Sequence, residues 1–147
     1  MPEQKTKELL AELLNSQITG VIATEQDHQP YTNLVAFSFS DDLKKIYFAT
    51  PADTTKYKNL AGNPRISLLI DTRRNNREDF SGSAAVTVLG ICRELSGNIK
   101  NEKLMSHSVR LPGLNEFLNN DMIAMLEIEV QKYIITSGLD STAVYIP

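Results

Sequence analysis

The sequence predicts a mainly β protein, an antiparallel barrel with a Greek-key-like course and a few short helices. Three observations carry this reading. Six or seven short stretches alternate apolar with polar or small residues at the two-residue period of a strand. Turn-forming residues separate most of them, as in Gln26-Asp27-His28-Gln29 and Asp41-Asp42-Leu43-Lys44. Helical periodicity is confined to a few short segments, so the strands must cover one another, and closing the sheet into a closed or split barrel removes its exposed edges.

Thr6 to Asn15 reads as a helix, with Leu9, Leu10, Leu13 and Leu14 in one stripe and Lys5, Lys7, Glu8 and Glu12 mostly off it. A helix of about ten residues is marginal alone in water, so it is expected to pack across an open end of the barrel. Ile18 to Glu25 is the first strand. His28 falls in the solvated turn after it, and only Asp27 is nearby to support a catalytic role. Pro30 to Ser40 is the second strand, with Leu34, Ala36 and Ser38 on one face and Val35, Phe37 and Phe39 on the other.

Ile46 to Thr50 is the third strand, ended by Pro51, which cannot donate to a ladder. Asp53 and Thr54 are good helix caps, Tyr57, Leu60 and Ala61 share a helical face, and Gly62-Asn63-Pro64 stops the helix. Arg65 to Asp71 is a strand with Ile66, Leu68 and Ile70 on one face. Thr72 to Ser83 is the least regular stretch, with Phe80 its only large apolar residue. Connections of about a dozen residues are more often functional lids than accidents.

Ala84 to Glu94 is the next strand, and Gly90 inside it marks a bulge or a close backbone approach. Cys92 follows in apolar company and reads as a buried small residue. Asn98 to Arg110 and Leu114 to Asn120 are helical, broken by Pro112-Gly113, and His107 on the first, beside Ser106 and Ser108, reads as surface. Met122 to Ser137 is the last long strand, with Leu126, Ile128 and Val130 inward and Glu127, Glu129 and Gln131 outward. The tail from Gly138 to Pro147 is expected to add a short strand through Thr142 to Ile146.

At 147 residues the chain is expected to be one domain, residues 1–147. The formal charge of -3 and the lack of a basic stripe with interleaved aromatics speak against a nucleic-acid partner. No apolar run approaches the roughly 20 residues that span a bilayer, and MPEQKTKELL has no signal-peptide core, so a soluble cytoplasmic protein is expected. The single cysteine excludes an internal disulfide and a cysteine-cluster metal site.

The most informative corner joins the third strand to its short helix. Thr50, Thr54, Thr55 and Lys56 converge there, offering hydroxyls, an ammonium and the free amides of a helix N-terminus, which suits a phosphate. The competing reading makes the threonines caps and Lys56 a solvated charge. Asp53 weighs against an anion, because its carboxylate would compete for the same amides.

Phe48-Ala49-Thr50, six residues on to Lys56, then Asn59-Leu60 and Asn63-Pro64-Arg65-Ile66-Ser67-Leu68-Leu69, resembles the FMN-binding split-barrel proteins of the pyridoxamine 5'-phosphate oxidase type. The resemblance is good from Ile18 to Glu94 and weak beyond. It implies that Thr50, Thr54, Thr55 and Lys56, with Ala49 alongside, hold the FMN phosphate. It also implies that Asn33, Leu34 and Val35 contact the ring and ribityl chain, with Asn33 the best side-chain candidate and a strand-edge amide bonded to water its competing reading. Many members carry Arg where this chain has Thr55, which exchanges a guanidinium fork for one hydroxyl. Asp71-Thr72-Arg73-Arg74-Asn75 is similar to one subgroup, which implies that Arg73 or Asn75 reaches the flavin; the alternative is a solvated arginine loop.

The resemblance further implies a homodimer with FMN at the subunit interface and an oxidoreductase acting on an unidentified small molecule. The family's substrate-holding R-x-H motif is missing, since no Arg or His follows Arg110, so pyridoxamine phosphate is not the expected substrate. A non-catalytic FMN or haem carrier stays open, as does a flavin-free oligonucleotide-binding barrel, which the acidic charge disfavours.

Overall fold

The computed structural model describes residues 2–138 and 141–147. In chain order the elements are α1 (Glu3–Ser16), β1 (Thr19–Gln26), β2 (Gln29–Phe39), β3 (Lys45–Pro51), α2 (Thr55–Gly62), β4 (Arg65–Asp71), α3 (Asp79–Gly82), β5 (Ala84–Leu95), α4 (Gly97–Arg110), α5 (Asn115–Leu118), β6 (Ile123–Ser137) and β7 (Ser141–Tyr145). A 3-10 turn, Pro112–Leu114, links α4 to α5. Each expected strand is present to within a few residues. Part of the predicted tail, 139–140, lies outside the described residues.

All pairings are antiparallel, in the order β3-β2-β1-β4-β5-β6-β7, and β3 also pairs with β6, which closes six strands into a barrel. Strands β1 to β3 form two hairpins, and α2 then carries the chain back so that β4 lies beside β1, a Greek key. The first hairpin turns through Asp27 and His28, both at positive φ (52° and 65°), with Gln26 opposite Gln29. His28 is exposed in that turn, as its sequence neighbours suggest.

Strand β6 holds the barrel shut at one end only. Its first half, Ile123 to Glu129, pairs with β3; its second half, Tyr133 to Ser137, carries β7 on the same edge. Between them Gln131 is squeezed out of register opposite Leu89 and Gly90. A Cβ at Gly90 would lie 2.6 Å from Glu129 O and from Ile128 Cγ2, so the close approach expected from a glycine in a strand is real.

The barrel interior takes one face of each strand: Ile22, Phe37, Ile46, Phe48, Leu68, Ile70, Val86, Val88 and Ile128 are all fully or almost fully buried. Helix α1 contributes Leu10, Leu13 and Leu14 to the same core. Tyr133, wholly buried, donates from its hydroxyl to Leu43 O at 2.7 Å, so its one polar atom is satisfied. Cys92 is buried, and burial pushes its thiol up to about 12, consistent with an inert core residue.

Two expectations need correction. Helix α2 does not turn Tyr57, Leu60 and Ala61 inward as a set; Lys56, Asn59 and Leu60 are buried while Ala61 is exposed. The rotation lets Asn59 Nδ2 donate to the buried Thr24 Oγ1 at 3.0 Å, a polar contact that an apolar-stripe argument does not see. Nor does β6 alternate cleanly: Ile123 to Ile128 are all buried. Glu127 faces outward but is covered, held by Arg93 Nε at 2.9 Å and Lys45 Nζ at 3.3 Å. The cause is α4, which lies across the outside of β2, β3 and β6 and makes a second small core from Leu104, Tyr47, Leu95 and Met125.

Candidate functional site

Covering part of the barrel's outer face creates the site. Beside the covered area runs a groove of about 370 Å³, a size that suits a small-molecule ligand. Its floor is the outer face of β2 and β3, with Leu34, Ala36 and Ala49, and Thr50 borders it from the inward-facing end of β3. One end is Lys56 at the start of α2, and the opposite wall is His107, Leu114 and Phe117. Most of this lining is apolar, with Thr50, Lys56 and His107 as its polar side chains.

The threonine corner is built as a hydroxyl relay. Thr54 caps α2, accepting from Tyr57 N–H at 3.4 Å, and donates its own proton to Pro51 O at 3.0 Å. Its contact with Thr50 Oγ1, also 3.0 Å, must therefore run from Thr50 to Thr54. Thr54 is thus saturated as a donor, and Thr50, wholly buried, offers a ligand only lone pairs until its hydroxyl rotates. Thr55 is exposed, with no side-chain partner among the described residues. Because Tyr57 and Lys58 direct their amides to Thr54, the amides left over at the helix start are those of Thr55 and Lys56. Asp53 is exposed and caps nothing among the described residues, so the expected competition from its carboxylate is absent.

Lys56 is 8% exposed and makes no ion pair among the described residues. Burial holds its ammonium below the usual lysine range. A cation in that position lacks a partner of opposite charge, and the donors beside it suit an anion.

His107 was expected at the surface, and the structure overturns that. It is wholly buried, with Nδ1 2.7 Å from Ser38 Oγ, and its Nε2 has no partner. Burial first, and then the charge of Arg110, push it down to about 4, so it is neutral. Arg110 locks this part of α4 in place. It donates to Leu14 O at 2.9 Å, Gln17 O at 2.8 Å and Phe37 O at 3.2 Å, with its guanidinium over Phe37 and Phe39. Leu104, His107 and Leu111 repeat at helical spacing, which marks one face of α4 but does not say what that face packs against.

The structure brings Leu34, Val35, Ala49, Thr50 and Lys56 to one groove, with Thr54 directly behind Thr50. Asn33 is elsewhere: it lies opposite Ile22 on the face of β2 turned to the barrel interior, with its Oδ1 buried and unpaired. Arg73 and Asn75 do not line the groove either. Arg73 Nε pairs with Asp71 at 3.0 Å. The Thr72–Ser83 connection is ordered by Asp79, whose carboxylate accepts from the amides of Arg74, Asn75 and Asn76 and so is held below the usual carboxylate range. It contains the short α3 and borders a separate cavity.

A family model described as pyridoxamine 5'-phosphate oxidase matches residues 6–131, most of the chain. The chain belongs to that family. Among curated proteins none matches it significantly in sequence. Solved structures resemble this family member in fold at low identity. A haem-binding protein from Mycobacterium smegmatis has a TM-score of 0.83 at 17% identity, over 95% of this chain and 57% of that one. An FAD-binding protein from Mesorhizobium loti has a TM-score of 0.68 at 21% identity, over 85% and 89%. A Clostridium acetobutylicum protein of the pyridoxinephosphate oxidase family, related to general stress protein 26 of B. subtilis, has a TM-score of 0.73 at 18% identity, over 99% and 96%. The chain therefore spans little more than half of the mycobacterial protein and nearly all of the other two. Among the described residues no helix is long and apolar enough to cross a membrane.

Proposed function

We propose that this pyridoxamine 5'-phosphate oxidase family member binds FMN in the groove between α2 and α4, and uses it as an oxidoreductase on a small molecule. The observation that carries the reading is Lys56, a buried ammonium without an ion pair, at a helix N-terminus that also presents the Thr55 and Lys56 amides. Bound there, the phosphate would meet Lys56, Thr55 and, after rotation of its hydroxyl, Thr50, with Thr54 holding the turn. The apolar floor of Leu34, Ala36 and Ala49 suits the ring, with Val35, between the first two on β2, bordering it. When bound, FMN supplies the redox chemistry; the chain's own groups bind, orient and desolvate it.

The proposal includes a homodimer and a cytoplasmic location. Leu34 is 69% exposed at the groove's edge, and Tyr31 on the same strand and Ile18 just before β1 are also exposed, apolar side chains that a second copy would cover. Arg73, Asn75 and Asn33 do not line the groove of their own chain, so a role at the flavin for the loop pair requires the second copy. Haem is the second reading, and the neutral His107 imidazole in the groove wall is the observation that favours it.

Protein purified without added cofactor tests these together. Flavin absorption, with FMN identified by mass after release on denaturation and a dimeric mass in light scattering, is the expected result. A Soret band would replace FMN with haem. Colourless protein that takes up neither FMN nor haem would end the proposal.

A further inference from the structure

His107 combines complete burial, a place in the groove wall and a ring nitrogen with no partner. Buried polar atoms are rarely left unpaired without a reason. Its protons can be assigned by counting. Ser38 Oγ has no other partner among the described residues. If Ser38 donates to Nδ1, the only group left over is Nε2–H. If Nδ1 carries the proton instead, both the serine proton and the Nε2 lone pair are stranded. The first arrangement leaves fewer orphans, so Nε2 is a donor.

We propose that His107 donates from Nε2–H to an acceptor atom of the isoalloxazine ring, a carbonyl oxygen or a ring nitrogen, when FMN occupies the groove. This rests on the FMN reading above. Leu114 and Phe117 share the wall with His107, and they sit on the 3-10 turn and the four-residue α5, which pack mainly on α4 and on each other. A planar ligand can displace such a segment more readily than it can a barrel strand. Ser38 and Arg110 keep the imidazole fixed while this happens, so the donor is oriented before the ligand arrives.

The test uses the full chain, its His107→Phe and His107→Gln variants, and FMN as the probe. Histidine-labelled nitrogen NMR of the apo protein should show the Nε2–H tautomer, and FMN should shift that resonance. His107→Phe should bind FMN about tenfold more weakly, the worth of one ordinary hydrogen bond, with a displaced flavin absorption band. His107→Gln, which keeps an N–H donor, should retain most of the affinity. An Nδ1–H tautomer, or a His107 resonance that FMN leaves unchanged, would overturn the inference even if the phenylalanine variant failed to fold. Equal affinity and an equal spectrum in folded His107→Phe would do the same. Wild-type protein that binds no FMN would instead remove the reading on which the inference rests.

Discussion

Replacing Lys56 by Met should move ligand affinity and apo stability in opposite directions. The side chain is 8% exposed, without an ion pair among the described residues, and burial already disfavours its charged form. Methionine keeps most of the stem and removes the uncompensated charge. Burying a polar group without a partner costs about 1–3 kcal/mol, so the apo variant should gain about 1 kcal/mol, or about 2–4 °C in Tm. A charge-assisted hydrogen bond is worth about 1.5–3 kcal/mol, so FMN affinity should fall about 10- to 150-fold. Ligand at a hundred times its Kd stabilises the parent by about 2.7 kcal/mol, enough to reverse the order of the two melting temperatures. Urea unfolding without ligand and fluorescence titration with FMN measure the two arms. A variant that binds FMN as tightly as the parent, or that loses apo stability, would show that Lys56 serves the fold and not the anion.

Two more perturbations follow from the same structure. The unfolded chain protonates His107 near its ordinary 6.5, whereas the folded protein resists until about 4. Stability is therefore complete above pH 6.5 and is lost as the pH falls, by about 2 kcal/mol at pH 5 and about 3 kcal/mol at pH 4. Glu127 is held below the usual carboxylate range by Arg93 and Lys45, so its own loss belongs to lower pH. Urea midpoints of the parent and His107→Gln, compared at pH 7 and pH 5, isolate the histidine, and equal slopes would contradict its burial. Gly90→Ala would place a methyl 2.6 Å from the Glu129 carbonyl. It should destabilise by about 1–3 kcal/mol in urea unfolding, and an unchanged midpoint would mean that the β5–β6 bulge is looser than it looks.

The strands and their order of contact with the core were legible in the sequence because a strand repeats every two residues and the barrel interior reads only one face. Ile66, Leu68 and Ile70 show this, as do Val86 and Val88. The threonine–lysine corner was legible too, because its parts lie within seven residues of each other and a helix start presents amides wherever it occurs. What failed was whatever depended on a second layer. The sequence of α4 does not say that a helix will lie across the outer face of β2, β3 and β6, and so it hid the burial of Glu127 and His107. Asn59 turned inward for a partner 35 residues away, at Thr24. By itself the sequence determined the barrel and located the proposed anion corner, because periodicity and local turn chemistry act over a few residues. Only the tertiary structure decided which polar groups are sealed from water and left unpaired, because burial is a property of everything packed around an atom, and most of that is distant in the chain.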